Sequence, residues 1–275
     1  MLKIHCMALG AYQTNCYIVH REDSCQCIVI DPGYQAHTIS DYLEEKGLAP
    51  EAILLTHGHF DHVGAVRDLA ATYGCRVYLR LEETTMPPQL TAGPLYYTDE
   101  YPSEGKLRVA DMDILVVHTP GHTPGSVCLL IEDAMFSGDT LFAGSMGRCD
   151  FPGSSIFEMR KSLRRLRALE RNYRVFPGHG EDTTLDYEKN LINLKVLSES
   201  NYSQLYSSEI EGLVDQAYAE MPKQVRDTYI MHRYHELTYS DIAKQEQISV
   251  KAVEKRMMIA LKILRCKLKD YLEKQ

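Results

Sequence analysis

Seven side chains able to hold a metal ion follow apolar runs in this chain. The densest group, Thr56-His57-Gly58-His59-Phe60-Asp61-His62, comes directly after Ala52-Ile53-Leu54-Leu55. Three more donors repeat one pattern of apolar run, small turn and ligand: ILVV-HTPGH ends on His122, AMF-SGD on Asp139 and RVF-PGH on His179. Imidazole and carboxylate suit zinc or iron, and one carboxylate can bridge two ions. On this reading His57, His59 and His122 hold one ion, and Asp61, His62 and His179 hold the second, with Asp139 between them. Two ions roughly 3.5–4 Å apart share and acidify a water, which is what hydrolysis at neutral pH needs. Taken singly, Asp61 reads as a helix cap, Asp139 as a turn residue and His179 as a surface histidine. Taken together at strand ends, the seven read as one site.

Elements must exist to bring these positions together. Residues 17–19, 27–30, 52–55, 77–79, 107–109, 113–117, 127–131, 134–136 and 174–176 read as strands, the last group closing the set. Residues 38–46, 63–73 and about 156–170 read as helices, and 84–105, with four prolines and two glycines, as a long loop. Strands mixed with helices predict a layered α/β fold. Strand ends on one edge of a sheet converge, so donors spread over 120 positions can share one pocket. Gly58, Gly121, Gly138 and Gly178 are expected to let the backbone turn sharply beside each ligand.

The 275 residues allow one large domain or two ordinary ones, and 44% hydrophobic residues describe a globular chain with a core. No apolar stretch approaches the roughly 20 residues that span a bilayer, and the first residues lack a signal-peptide pattern. The eight cysteines follow no disulfide spacing, and Cys25-Gln26-Cys27 falls in an expected hairpin, so reduced thiols in the cytoplasm are expected and no membrane partner. Residues 196–275 hold 12 Lys/Arg and 12 Asp/Glu, so the first 195 carry the whole net charge of −8. Residues 244–275 are locally basic, with 9 basic and 4 acidic side chains. This asymmetry predicts two units with different partners.

THGHFDH with TPGHTPGS, FSGDTLF and FPGHG resembles the metallo-β-lactamase superfamily, and the fuller set TNCYIV, VIDPG and GRCDFPG resembles its glyoxalase II-like hydrolases. The resemblance covers residues 1–195. It implies an αββα sandwich, two zinc ions (iron or manganese as alternatives) and hydrolysis of a small-molecule thioester such as S-D-lactoylglutathione. It also implies that Asp61 orients the nucleophile while ligating the second metal. Arg148, in the loop 143–152, is the candidate for binding a substrate carboxylate. Related persulfide dioxygenases share GR-x-D-F and use one iron, which gives an oxidoreductase as the rival reading.

From about residue 198 the texture changes. The polar, serine-rich run SESNYSQLYSSE begins at 198; residues 198–207 read as a linker, and residues 208–275 as an all-α domain. Leu213, Ala217, Met221, Val225, Tyr229 and Ile230 form an apolar stripe, with Pro222 starting a second helix. LTYSDIAKQEQISVKAVEKRM then reads as a helix, a turn at Glu246-Gln247-Ile248 and a longer helix capped by Ser249. Ile242, Ala243 and Val253 face inward; Ser249, Lys251, Lys255 and Arg256 face outward, toward DNA. The wording resembles region 4 of extracytoplasmic-function sigma factors, which implies promoter DNA and RNA polymerase as partners. A regulator whose metal domain senses a metabolite is therefore the second rival to the hydrolase.

Overall fold

The computed structural model describes residues 1–91, 93–102, 105–192, 217, 220–233 and 237–272. The chain divides into two compact units, Met1–Val196 and Leu197–Gln275. The expected linker 198–207 and Leu213 lie outside the described residues.

Among the described residues, the first unit holds two six-stranded sheets. One orders β1 (Leu2–Leu9), β2 (Thr14–Arg21), β3 (Gln26–Ile30), β4 (Ala49–Leu54), β5 (Arg76–Leu79) and β6 (Asp99–Glu100) side by side. The other contains β7 (Lys106–Val109), β8 (Met112–His118), β9 (Val127–Ile131), β10 (Ala134–Gly138), β13 (Arg174–Pro177) and β14 (Thr183–Thr184). Its order is β14-β13-β10-β9-β8-β7. A hairpin of β11 (Leu141–Phe142) and β12 (Ser145–Met146) stands apart.

Strand alternation explains the layers. Ile28, Ile30, Ala52 and Leu54 point to one face of the first sheet and meet Val127, Leu129, Ile131 and Phe136 from the second. Cys27, Val29 and Ile53 point the other way, onto Ile39 and Leu43 of α1 (Ala36–Lys46) and Val66 and Leu69 of α3 (Val66–Tyr73). Cys128, Leu130 and Met135 do the same for Met159, Leu163 and Leu166 of α5 (Ile156–Arg167). Each sheet is apolar on both faces, so each requires a helical cover. The result is the αββα sandwich. Ser155 caps α5 by accepting from the Glu158 N–H at 3.2 Å.

Several local expectations change. Residues 63–73 do not make one helix: α2 (Phe60–Val63) ends at Gly64 and α3 starts at Val66. A Cβ on Gly64 would stand 2.2 Å from the Gly33 carbonyl oxygen, and one on Gly33 would stand 1.6 Å from that of Asp61. Two backbones touch there, bringing the turn after β3 under the histidine segment. The expected loop 84–105 contains α4 (Pro88–Thr91) and the edge strand β6. The expected last strand, 174–176, is followed by β14, and α6 (Leu185–Ile192) continues from it. These pieces are short, and no hydrophobic period announces them.

The second unit contains α7 (Lys223–Arg233), α8 (Tyr239–Gln245) and α9 (Val250–Leu272) among the described residues. Ala217, Met221 and Val225 pack on Ala260 and Leu264, while Ile242, Ala243, Val253 and Met257 form a second cluster. Thr228 is fully buried and Ile230 only half-buried, reversing the expected stripe at that turn. The turn between α8 and α9 takes Gln247 into the left-handed region at φ 54°. No helix among the described residues is long and apolar enough to cross a membrane.

Candidate metal centre

The seven expected donors meet beyond the ends of β4, β8, β10 and β13. Ligand atoms of His57, His59 and His122 lie within 4.8 Å of one another, as do those of Asp61, His62 and His179. Asp139 reaches both sets, with Oδ1 3.5 Å from His62 Nε2 and Oδ2 3.4 Å from His122 Nε2 and 3.7 Å from His179 Nε2. His57, His59, Asp61, His62 and His122 are buried.

The orientation of the rings can be traced bond by bond. Asp31, fully withdrawn from solvent, accepts from the Thr56 N–H at 2.7 Å and the Thr56 hydroxyl at 2.5 Å. Having donated to Asp31, that hydroxyl accepts from His57 Nδ1 at 3.1 Å, which leaves the lone pair on Nε2. His62 Nδ1 donates to Asp31 Oδ2 at 2.9 Å, His122 Nδ1 to the Arg148 carbonyl at 2.8 Å and His179 Nδ1 to the Tyr12 carbonyl at 3.1 Å. Four rings thus aim Nε2 at the cluster, the tautomer that metal ligation uses. His122 Nε2 faces His59 Nδ1 at 2.9 Å, a pairing that requires a proton or a cation between the rings. His57 Nε2 and His59 Nε2 are buried and make no hydrogen bond. Buried nitrogens are rarely left so unless a ligand takes them. The donor set fits two transition-metal ions.

Electrostatics divides the two sets. Burial, reinforced by neighbouring imidazoles, pushes His57 well down and His59 down to about 3, so both are neutral donors. Burial also opposes charge on His62, but Asp139 and Asp31 outweigh it and raise its pKa well above the usual imidazole value. His179 is likewise raised, its hydrogen bond to Asp61 and the charge of Asp139 overcoming burial. Burial works against ionised Asp61, yet the His179 hydrogen bond and the His62 charge hold it well below the ordinary carboxylate range. The carboxylates of Asp31, Asp61 and Asp139 thus surround His62 and His179 with negative charge, which favours a cation beside these two rings.

The cluster opens into a cavity of about 420 Å³. Tyr12, Phe60, Leu90, Phe142, Met146 and Phe151 supply apolar walls, and Arg148 stands on the rim. Arg148 is already engaged: Nε and Nη2 donate to the two oxygens of Asp150 at 2.7 and 2.8 Å, and the guanidinium lies 4.1 Å from the Phe151 ring centroid. Its carbonyl, which carries no sequence signal, is what orients His122. Asp31 is the main residue that sequence reasoning missed, since Asp31-Pro32-Gly33 reads simply as a turn. The glycines also divide by role. Gly121 and Gly138 adopt positive φ (149° and 48°), whereas Gly58 and Gly178 do not. At Gly178 closeness decides, because a Cβ there would stand 2.3 Å from Asp139 Oδ1.

In the second unit the expected DNA-facing residues separate. Ser249 is exposed and its hydroxyl accepts from the Ala252 N–H at 3.2 Å, capping α9. Lys251 and Lys255 are exposed. Arg256 is not free on that face, which corrects the expectation. Its guanidinium reaches Gln224 and Thr228 of α7 at 3.3 Å and Glu246 at 3.4 Å, tying three segments together.

Comparison with known proteins agrees with both halves. Residues 211–264 match the family model for Sigma-70, region 4, so the helical unit is sigma region 4-like. Residues 9–179 match the model of the metallo-beta-lactamase superfamily. The chain is 36% identical over 193 residues to the probable metallo-hydrolase YqgX of Bacillus subtilis, covering 64% of this chain and 90% of that one. It is 32% identical over 203 residues to the hydroxyacylglutathione hydrolase GloC of Haemophilus influenzae, covering 68% and 95%. The crystal structure of TTHA1623 in a di-iron-bound form superposes with a TM-score of 0.57 at 36% identity, covering 67% and 96%. With the fold, the converging donors and these likenesses in hand, the chain belongs to the metallo-β-lactamase superfamily and carries a sigma region 4-like domain after it.

Proposed function

We propose that the first unit is a dinuclear metal-dependent thioester hydrolase of the glyoxalase II type, working in the cytoplasm, and that the second unit docks on promoter DNA. The observation that carries the first half is the double triad. His57, His59 and His122 form one set, Asp61, His62 and His179 the other, and Asp139 faces both. Zinc is the expected metal. When bound, two such ions supply a Lewis acid for the carbonyl and lower the pKa of water toward 7. The chain's own residues do the rest. Asp61, held by the Thr14 hydroxyl at 3.1 Å and by His179, orients the attacking water. The apolar walls exclude bulk water and seat the acyl group, and Arg148, released from Asp150, pairs with a substrate carboxylate on the rim. A thiolate leaves without a strong general acid, so none of these residues needs to supply one.

The helical unit contributes Ser249, Lys251 and Lys255 on one exposed helix start. This supports phosphate contact by the two lysines, with RNA polymerase as the companion partner.

The test uses the full chain prepared without chelator. Elemental analysis should return close to two transition-metal ions per chain, and a panel of acyl-glutathione and acyl-CoA thioesters should include a substrate turned over only by the loaded protein. One iron per chain, with oxygen uptake on a persulfide and no thioester turnover, would replace this reading with the dioxygenase one.

A further inference from the structure

Glu83 has no part in the site as described so far. It lies in the short turn Leu81–Thr85 after β5, is 0% exposed, and has no cation paired with it among the described residues; the adjacent Arg80 is spent on Glu82 at 2.6 Å. Its Oε2 accepts from the Gly58 N–H and its Oε1 from the Gly125 N–H, both at 2.6 Å. Gly58 sits between His57 and His59, and Gly125 is three residues past His122. The two glycines make room for this carboxylate: a Cβ on Gly58 would stand 3.2 Å from Oε2, and one on Gly125 2.8 Å from Oε1.

Burying a carboxylate without a counter-ion is costly, and an apolar side chain would fill the space more cheaply. What Glu83 alone supplies is a rigid double acceptor spanning two loops. One loop leaves the first sheet and carries His59; the other leaves the second sheet and carries His122. A single backbone bond, from the Val127 N–H to the Thr56 carbonyl at 2.9 Å, joins the same loops on the His57 side. Glu83 closes them on the His59 side. We infer that Glu83 is a positioning residue whose carboxylate clamps the 56–59 loop to the 119–126 loop and so sets the spacing of the His57/His59/His122 set. Nothing in the contacts of Glu83 reaches Asp61, His62 or His179, so its influence is confined to one of the two ions. This inference rests on the two-ion reading above.

The test titrates metal-free full-length protein with Co²⁺ alone against a competing chelator, reading the visible absorption of each ion as it binds. In Glu83→Ala one equivalent should lose about 10–100-fold in affinity, with its absorption bands altered, while the other binds as in the wild type. Glu83→Gln keeps one acceptor and should lose less. Glu83→Asp is too short to span both loops and should resemble Glu83→Ala. Unchanged binding of both equivalents in Glu83→Ala overturns the clamp, and so does equal weakening of both, which would mark a general loosening. If Glu83→Ala does not fold, Glu83→Gln decides by the same readout. The two failures are distinct, since a single Co²⁺ equivalent in the wild type overturns the two-ion reading itself.

Discussion

The metal cluster and the start of α9 place their chemistry in opposite ways. In the first unit five of the seven working side chains are buried, four of the five rings are held by a second residue, and the negative charge of Asp31, Asp61 and Asp139 is concentrated where little solvent reaches it. In the second unit Lys251 and Lys255 stand in solvent on one face of a helix, while the more deeply set Arg256 is occupied in packing. Buried polar groups are costly, so their geometry must be over-determined. Exposed cations cost little, and a long-range field needs only a correct face. Substitutions should therefore be severe and local in the pocket, graded and salt-dependent on the helix.

The sharpest way to break this contrast is Asp139→Ala. Asp139 faces both donor sets from between them, so hydrolysis should fall roughly 10³-fold or more in its absence. A variant retaining over a tenth of wild-type turnover would remove the bridging role, and the pocket would look as tolerant as the helix.

On the helix the expected effect is intermediate and depends on conditions. Lys251→Ala with Lys255→Ala should lower affinity for promoter-like duplexes and make the log–log salt dependence shallower by about 2, roughly one per lost phosphate contact. Thioester turnover by the same variant should be unchanged. If the wild type shows no retention at low salt, the second unit is an ordinary helical bundle. If turnover falls in the double variant, the two units share more than a chain.

The smallest effect separates Arg256 from the lysines. Arg256→Ala removes three long contacts, at 3.3–3.4 Å, and should cost the helical unit about 1 kcal/mol in a denaturant titration. It should leave the salt slope alone. A slope change as large as that of a lysine, with no loss of stability, would return Arg256 to the DNA-facing set.

Much of this was legible in the chain itself. The strand-end pattern picked out seven side chains that the fold brings together, because apolar run, turn and candidate ligand are contiguous. The cap at Ser249 and the inward positions Ile242, Ala243 and Val253 were legible because a helix repeats locally. The break at Gly64 and the strands β6 and β14 were not, since they answer to neighbours rather than to any period of their own.

By itself, then, the order of residues determined which chemistry was available: imidazoles and carboxylates at strand ends, and a cationic helix face behind a tight turn. Tertiary structure decided how that chemistry is held. Thr56 finds Asp31 across 25 positions, His122 finds the Arg148 carbonyl across 26, and His179 finds the Tyr12 carbonyl across 167. Glu83 joins loops from two different sheets, and Arg256 turns back onto α7. Such partners carry no local signal, because a hydrogen bond is set by distance and angle in space and the fold alone brings its two ends together.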